Sequence, residues 1–198
     1  HNPMTMLISK PAKNERVRYL KPDEKKRLIK ACRDIGGKFY LAFLLALTTG
    51  QRKSNILERR WSDIDLQQGL IDIRETKNED PILAPIPPVA LNLLREFAIT
   101  SKKSDLIFAS NVNPDVSSGY RKEWNNARKM SGIYDFTWHD LRHDTASTLA
   151  MAGATVIEIA EILGHRSLQS TKRYAHLSTA HKSALLAKTM DDSLFDLM

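Results

Sequence analysis

Cysteine is almost absent from this chain of 198 residues, in which Cys32 is the only example. One thiol cannot build an intramolecular disulfide framework, and the scarcity of cysteine fits a reducing compartment. Long apolar stretches are also missing. The longest, around residues 39–47, is far shorter than the roughly 20 residues that a membrane-spanning helix requires, and no signal-like apolar segment opens the sequence. These absences predict a soluble, cytoplasmic protein with no membrane partner.

Acidic residues are scarce near the start of the chain. Residues 1–60 contain 15 Lys and Arg against 5 Asp and Glu, whereas residues 61–198 contain 15 against 18. A basic region of this kind suggests a polyanionic partner, because Lys and Arg that neutralise phosphates release condensed counterions. A solvated basic face without a partner is the alternative interpretation.

Helical periodicity dominates the rest of the sequence. We predict helices at residues 22–35, 38–50, 88–99, 119–131, 138–151, 155–163, 167–174 and 178–189, and a short helix after Gly50. Alternating or short apolar segments predict strands at 70–75, 82–86 and 106–108. The pattern therefore predicts a mainly α fold with a small three-stranded antiparallel sheet. Its expected divisions are an extended linker at 1–20, one domain at 21–189 and a C-terminal tail at 190–198.

The stretch HDLRH places two histidines and an arginine on one helical face. His139, Arg142 and His143 are separated by three or four residues at the predicted start of a helix, where free N–H groups favour a phosphate oxygen. This arrangement indicates a phosphate cradle with a titratable histidine. Half of a metal site is an alternative, although no Glu or Cys accompanies the histidines as in zinc motifs. A buried histidine network is another.

The stretch LGHRSLQSTKRY ends in Tyr174, whose hydroxyl is a poor nucleophile near neutral pH because a free phenol has a pKa of about 10. Attack on a phosphodiester needs fixed cations, a proton acceptor and an acid for the leaving oxygen. The chain supplies candidates for each part in Arg52, Lys77, His139, Arg142, His165 and Tyr174. Taken without the other motifs, Tyr174 would be interpreted as a packed surface aromatic.

Four segments resemble the signatures of the tyrosine recombinase, or phage integrase, catalytic domain. They are TTGQRKSNIL, ETKNEDPILAPIP, HDLRH and LGHRSLQSTKRYAHL, in the order of the family, and the resemblance spans about residues 20–180. It implies the recombinase catalytic fold and a site-specific DNA recombinase that cleaves and rejoins strands through a 3′-phosphotyrosine intermediate. Since the bond energy is conserved, neither ATP nor a metal nor another cofactor is expected.

The same resemblance implies a role for each candidate. Arg52 and Arg142 match the two phosphate-binding arginines, and Lys77 matches the lysine that protonates the leaving 5′ oxygen. His139 matches the histidine of the HxxR element, the expected proton acceptor. His165 matches a histidine that donates to the phosphate, and Tyr174 matches the nucleophile. Three departures are Gln51 in place of an apolar residue, Asn55 in place of an acidic one, and the acidic turn Glu79-Asp80.

The implied partner is double-stranded DNA, bound by a homotetramer in which the C-terminal segment is exchanged between subunits, in a bacterial or phage-infected cell. The family pattern also implies an upstream DNA-clamping domain before the linker. Candidate backbone contacts are Lys53, Lys122, Arg128, Lys129, Arg166, Lys172 and Arg173. Other interpretations are a helix-turn-helix regulator built on residues 141–175, a catalytically impaired relative, and a tyrosine-type topoisomerase.

Overall fold

The computed structural model describes residues 17–74, 81–102 and 105–195. Helix α1 (Pro22–Ile35) begins with proline, and the Glu24 carboxylate in its first turn accepts the Lys21 backbone N–H at 2.8 Å. Helix α2 (Gly37–Thr49) is apolar on nearly every side and is buried over most of its length. This placement confirms the prediction of a helix at the centre of the core.

Seven further helices follow within the described part of the chain. They are α3 (Lys53–Leu57), α4 (Pro88–Ala98), α5 (Arg121–Ser131), α6 (Asp140–Met151), α7 (Val156–Leu163), α8 (Gln169–Lys172) and α9 (Thr179–Phe195). Short 3₁₀ helices occupy Trp61–Asp63 and Ala175–Ser178. The predicted end of the last helix, at residue 189, was wrong, because α9 continues to Phe195.

The sheet has three antiparallel strands among the described residues, β1 (Ile64–Asp65), β2 (Leu70–Ile73) and β3 (Ile82–Pro85), in that spatial order. Ile71 pairs with Ile64 on one side and Ala84 on the other. Ile71 and Ile73 are buried, as expected for alternate residues of a strand with one face on the core.

The predicted strand at residues 106–108 was wrong. Leu106 forms only an isolated bridge with Arg60, and the third strand of the sheet is Ile64–Asp65 instead. The segment 106–108 is apolar because all three of its side chains are buried in the core. A short apolar run of this kind does not distinguish burial from strand pairing.

The described end of the predicted linker, residues 17–20, is fastened to α1 and α6. The Leu20 N–H donates to the Asp144 carboxylate at 2.8 Å, and the Lys25 ammonium lies 2.7 Å from the same group. Arg18 forms ion pairs with Glu24 and Asp135. These contacts hold α6, the helix that carries the HDLRH motif, against the start of the domain.

The core has a large part centred on α2 and a smaller part beneath α6 and α7. Ala146, Ala150, Ile159 and Leu163 pack around Tyr174 in the smaller part. Among the helices that the structure describes, none combines the length and apolar character needed to cross a membrane. The predicted fold class is confirmed: helices predominate, and one small antiparallel sheet flanks them.

Candidate active site

The turn that ends α2 sets the position of two arginines. Gly50 lies in the left-handed region at φ 65°, and an ideal Cβ there would come within 2.4 Å of Leu163 Cδ2. The Gly50 carbonyl accepts a 3.0 Å hydrogen bond from Arg142 Nη1. Arg52 then follows in extended backbone at the start of α3.

Arg142 is a buried cation. Burial, followed by the neighbouring charge of Arg52, lowers the pKa of Arg142 to about 10, so the guanidinium remains charged at neutral pH. Within the part of the chain that the structure describes, its Nη2 has no hydrogen-bond partner. A buried N–H without a partner costs free energy, and a phosphate oxygen would satisfy it with a charge-assisted bond.

Arg52 and Arg142 line one cavity of about 300 Å³, together with His139 and Trp138. Burial also lowers the pKa of Arg52. Two cations that share a partly buried cavity repel each other, and a bound anion offsets that repulsion. The cavity is therefore suited to a phosphate group, as the sequence motifs predicted.

His139 stands at the N-terminal boundary of α6 and faces this cavity. Its pKa is lowered, first by burial and then by the charge of Arg142. His143 lies one helical turn later, with its ring centroid 5.1 Å from that of His139 and nearly perpendicular to it. The two histidines are thus adjacent, but they face different neighbours.

Tyr174 meets His143. The Tyr174 hydroxyl oxygen and His143 Nδ1 are 2.5 Å apart, and the tyrosine is only 2% exposed. The α6 helix therefore brings the HDLRH motif to the tyrosine that follows the LGH motif. His143 lies on the helical face predicted from the HDLRH spacing, but it was not among the predicted catalytic residues.

His165 follows α7, which ends at Gly164 in the left-handed region. His165 Nδ1 lies 2.7 Å from the hydroxyl oxygen of Thr171, a fully buried residue that sequence analysis did not select. Burial, then the charges of Arg142 and Arg52, lowers the pKa of His165 to about 4. The imidazole is consequently neutral at pH 7 and close to both arginines.

Five of the six predicted catalytic residues, all except Lys77, come from three separate segments that meet in this region. Arg52 comes from the α2–α3 turn, His139 and Arg142 from α6, and His165 and Tyr174 from the segment that follows α7. The profile of the phage integrase family matches residues 18–181. The chain belongs to the phage integrase family.

Relatives with known functions agree with this membership. The chain is 34% identical over 177 residues to the shufflon-specific DNA recombinase of Escherichia coli, with 89% of this chain and 44% of that protein covered. It is 35% identical over 181 residues to the integrase of Salmonella phage P22, with 85% of this chain and 46% of that protein covered. The chain therefore spans less than half the length of these two family members.

Solved structures confirm the predicted fold. The chain is similar to the crystal structure of XerA recombinase with a TM-score of 0.70 and 26% identity, covering 91% of this chain and 67% of that one. The catalytic domain of bacteriophage HP1 integrase is similar with a TM-score of 0.68 and 23% identity, and the coverage is 87% of this chain and 95% of that domain.

Two departures from the phage integrase pattern have structural consequences. Gln51 is buried, and its Nε2 donates to the Ile162 carbonyl at 2.8 Å, which ties the Gly50 turn to the end of α7. Asn55 is also buried, and its Nδ2 has no hydrogen-bond partner among the described residues. The hydrogen bond from Gln51 to the Ile162 carbonyl is a contact that an apolar residue at this position could not make.

Two of the predicted DNA contacts are held within the protein. The Lys53 ammonium donates to the Gly119 carbonyl at 2.7 Å and lies over the Trp138 ring. The Arg128 guanidinium donates to the Tyr134 carbonyl and to Asn125. Both cations thus have structural roles in this conformation.

The other predicted contacts differ in exposure. Arg173 is half-buried, and its Nε donates to the Ser170 carbonyl. The exposed candidates are Lys122, Lys129, Arg166 and Lys172. Lys77, Glu79 and Asp80 lie outside the described residues.

The alternative of a metal site at the two histidines of the HDLRH motif requires further ligands. Across the described ranges, no group of three or more His, Cys, Asp or Glu side chains could hold a metal ion.

Gly50→Ala is expected to destabilise the fold by roughly 2–4 kcal/mol, from left-handed strain together with overpacking against Leu163. Gly37→Ala is the matched control, because Gly37 also has a positive φ, 57°, but an added Cβ would meet nothing within 4 Å. Urea unfolding of both variants measures the difference. Equal losses of stability would show that the Gly50–Leu163 contact has no energetic importance.

Proposed function

We propose that this chain is the catalytic part of a site-specific recombinase that cleaves and rejoins double-stranded DNA through a 3′-phosphotyrosine intermediate. The observation that carries the proposal is the convergence of Tyr174, hydrogen-bonded to a histidine, with two arginines that share one cavity. A buried tyrosine that contacts a histidine and lies near two arginines is suited to nucleophilic attack rather than to packing alone.

In the proposed reaction, Arg52 and Arg142 hold the non-bridging oxygens of the scissile phosphate. Each guanidinium is charged at neutral pH, which suits a phosphate whose negative charge increases in the transition state, and Arg142 has Nη2 available for a phosphate oxygen. Neutral His165, held by Thr171, donates a further hydrogen bond to the phosphate. Lys77 supplies the proton to the leaving 5′ oxygen, as the family motif implies.

The Tyr174 oxygen forms the new bond to phosphorus as the bond from phosphorus to the 5′ oxygen breaks. A 5′ hydroxyl of a second duplex then attacks the phosphotyrosine and restores a phosphodiester. One phosphoester bond replaces another in each step, so the scheme requires neither ATP nor an added cofactor.

The DNA duplex is proposed to contact exposed basic residues on the domain surface. Lys122, Lys129, Arg166 and Lys172 are the candidates, since their side chains are exposed, and Arg173 stands beside the tyrosine. Contacts of this type neutralise phosphates and make affinity depend on salt. We place the protein on the DNA of a bacterial or phage-infected cell.

Covalent trapping tests the proposal. A nicked duplex that carries the attachment site of the element encoding this chain is incubated with the protein in low salt and with a chelator. The nick lets the cleaved end diffuse away, so the adduct accumulates. A denaturation-resistant adduct mapped to Tyr174 supports the recombinase, whereas DNA binding without any adduct supports a regulator or an inactive relative.

We further propose that the enzyme acts as a homotetramer on DNA, with the C-terminal segment exchanged between subunits. Helix α9 exposes two apolar side chains, Leu185 at 55% and Leu186 at 61%. Exposed apolar surface on a terminal helix favours docking on a neighbour.

Replacing both leucines with serine is expected to leave DNA binding intact and to reduce the number of subunits per DNA in sedimentation. Val112→Ser is the control, because Val112 is also apolar, is 95% exposed and lies in a loop rather than in α9. Identical assembly of the α9 variant and the parent chain would contradict the exchange.

A further inference from the structure

The Tyr174 hydroxyl is oriented by His143. The Tyr174 side chain packs against apolar groups that include Ala146, Ile159 and Leu163. Such neighbours fix the ring but cannot select a direction for the O–H bond. His143 Nδ1, 2.5 Å from the oxygen, offers a hydrogen-bond acceptor at that position.

His143 is suited to be neutral before the reaction. Its pKa is lowered, first by burial and then by the neighbouring His139. The titratable or charged groups that face it from α6 and from the segment after α7 are His139, Asp140, Arg142, His165, Arg173 and Tyr174. Of these, only Asp140 favours the charged imidazolium, so the neutral form, with a lone pair available on one ring nitrogen, predominates at pH 7.

His139 occupies a different position. It lines the cavity that Arg52 and Arg142 share, on the phosphate side of the site. His143 contacts the ring of His139 on one side and the ring of Tyr174 on the other. His139 therefore lies beside the cavity that the two arginines share, and His143 lies against the proposed nucleophile, Tyr174.

We propose that His143, rather than His139, accepts the phenolic proton of Tyr174 through Nδ1 as the tyrosine oxygen attacks phosphorus. The bond from oxygen to phosphorus forms, the bond to the 5′ oxygen breaks, and the proton moves to His143. A separate acid protonates the leaving oxygen. In the reverse step His143 returns the proton to the tyrosine. This role rests on the proposed recombinase function.

His143→Asn is the discriminating variant. The asparagine amide oxygen can replace Nδ1 as a hydrogen-bond acceptor, but it cannot take a proton at neutral pH. The single-turnover cleavage rate on the nicked duplex is expected to fall roughly 10²–10⁴-fold, the usual contribution of a general base. DNA affinity and thermal stability are expected to remain at the wild-type level. His176→Asn is the matched control, since His176 is exposed and only two residues from Tyr174.

A duplex with sulfur in place of the leaving 5′ oxygen separates base from acid. Sulfur leaves without protonation, so this substrate restores the rate of a variant that lacks the acid but not of one that lacks the base. His143→Asn is therefore expected to stay slow on it. Its rate should also increase with pH above 7, as ionised tyrosine replaces the missing base. Restoration of the rate by sulfur would assign His143 to the acid and overturn the proposal.

Two controls keep this proposal separate from the recombinase function. If the wild-type chain forms no adduct, the recombinase function itself fails. If the wild type forms the adduct and His143→Asn forms it equally fast, only the role of His143 fails. Nitrogen-15 NMR of the DNA-free protein gives an independent measurement, in which an unprotonated His143 Nδ1 is expected. A proton on Nδ1 would overturn the proposal even if His143→Asn did not fold.

Discussion

Tyr174→Phe is expected to abolish the covalent DNA adduct while leaving the chain folded. The phenylalanine ring retains the packing against Ala146, Ala150 and Leu163, and only the oxygen is lost. No other atom of the side chain can attack phosphorus. The cleavage rate should therefore lose the whole enzymatic rate enhancement, at least about 10⁶-fold. The loss of the hydrogen bond to His143 is expected to cost only about 1 kcal/mol of stability.

The measurement is the fraction of nicked duplex that becomes resistant to denaturation in detergent, followed by mass spectrometry of the adduct. Tyr134→Phe is the matched control, since Tyr134 is 71% exposed and does not line the cavity that Arg52 and Arg142 share. DNA binding by Tyr174→Phe, measured by gel shift, should equal that of the parent chain. An adduct that persists in Tyr174→Phe would mean that another residue is the nucleophile.

Arg142→Lys is expected to lower the cleavage rate by roughly 10²–10³-fold, as is typical when one preorganised donor to the transition state is removed. Arg142 uses Nη1 on the Gly50 carbonyl and keeps Nη2 for an anion, and a lysine ammonium lacks this fork. A lysine is also more easily neutralised when buried. Arginine retains its charge at neutral pH even though burial lowers its pKa to about 10.

Single-turnover kinetics at saturating protein separate this loss of chemistry from a loss of DNA affinity. Arg121→Lys is the control, because Arg121 is an exposed arginine at the start of α5. The Arg142→Lys rate should not recover at higher protein concentration. A variant that cleaves as fast as the parent would show that positive charge alone, without the guanidinium geometry, holds the phosphate.

Much of the candidate site could be predicted because its residues occur in short motifs. HDLRH lies on one helix turn, so its spacing alone placed His139, Arg142 and His143 on neighbouring positions. The glycine of TTG ends α2 in the left-handed conformation that glycine favours. The apolar stretch before that glycine is buried on most sides, which the absence of a polar face predicted.

Other features were decided by contacts that the local sequence pattern did not predict. The strand assignment at residues 106–108 failed because those side chains are apolar for reasons of burial, while Ile64 pairs with Ile71 across a turn. Arg128 looked like a surface cation, yet the fold brings the Tyr134 carbonyl to it. The local sequence pattern does not identify these strand and hydrogen-bond partners.

The amino-acid sequence by itself determined the family, the mainly helical fold and the set of chemical groups available for phosphoryl transfer. These properties follow from local spacing and residue type, which a linear sequence states directly. Only the tertiary structure decided which histidine contacts the proposed nucleophile: His143 and Tyr174 are 31 positions apart, and their hydrogen bond exists because α6 and the segment after α7 pack together. That packing depends on the shapes of buried side chains around Leu163 and Gly50, and spacing along the chain does not encode those shapes.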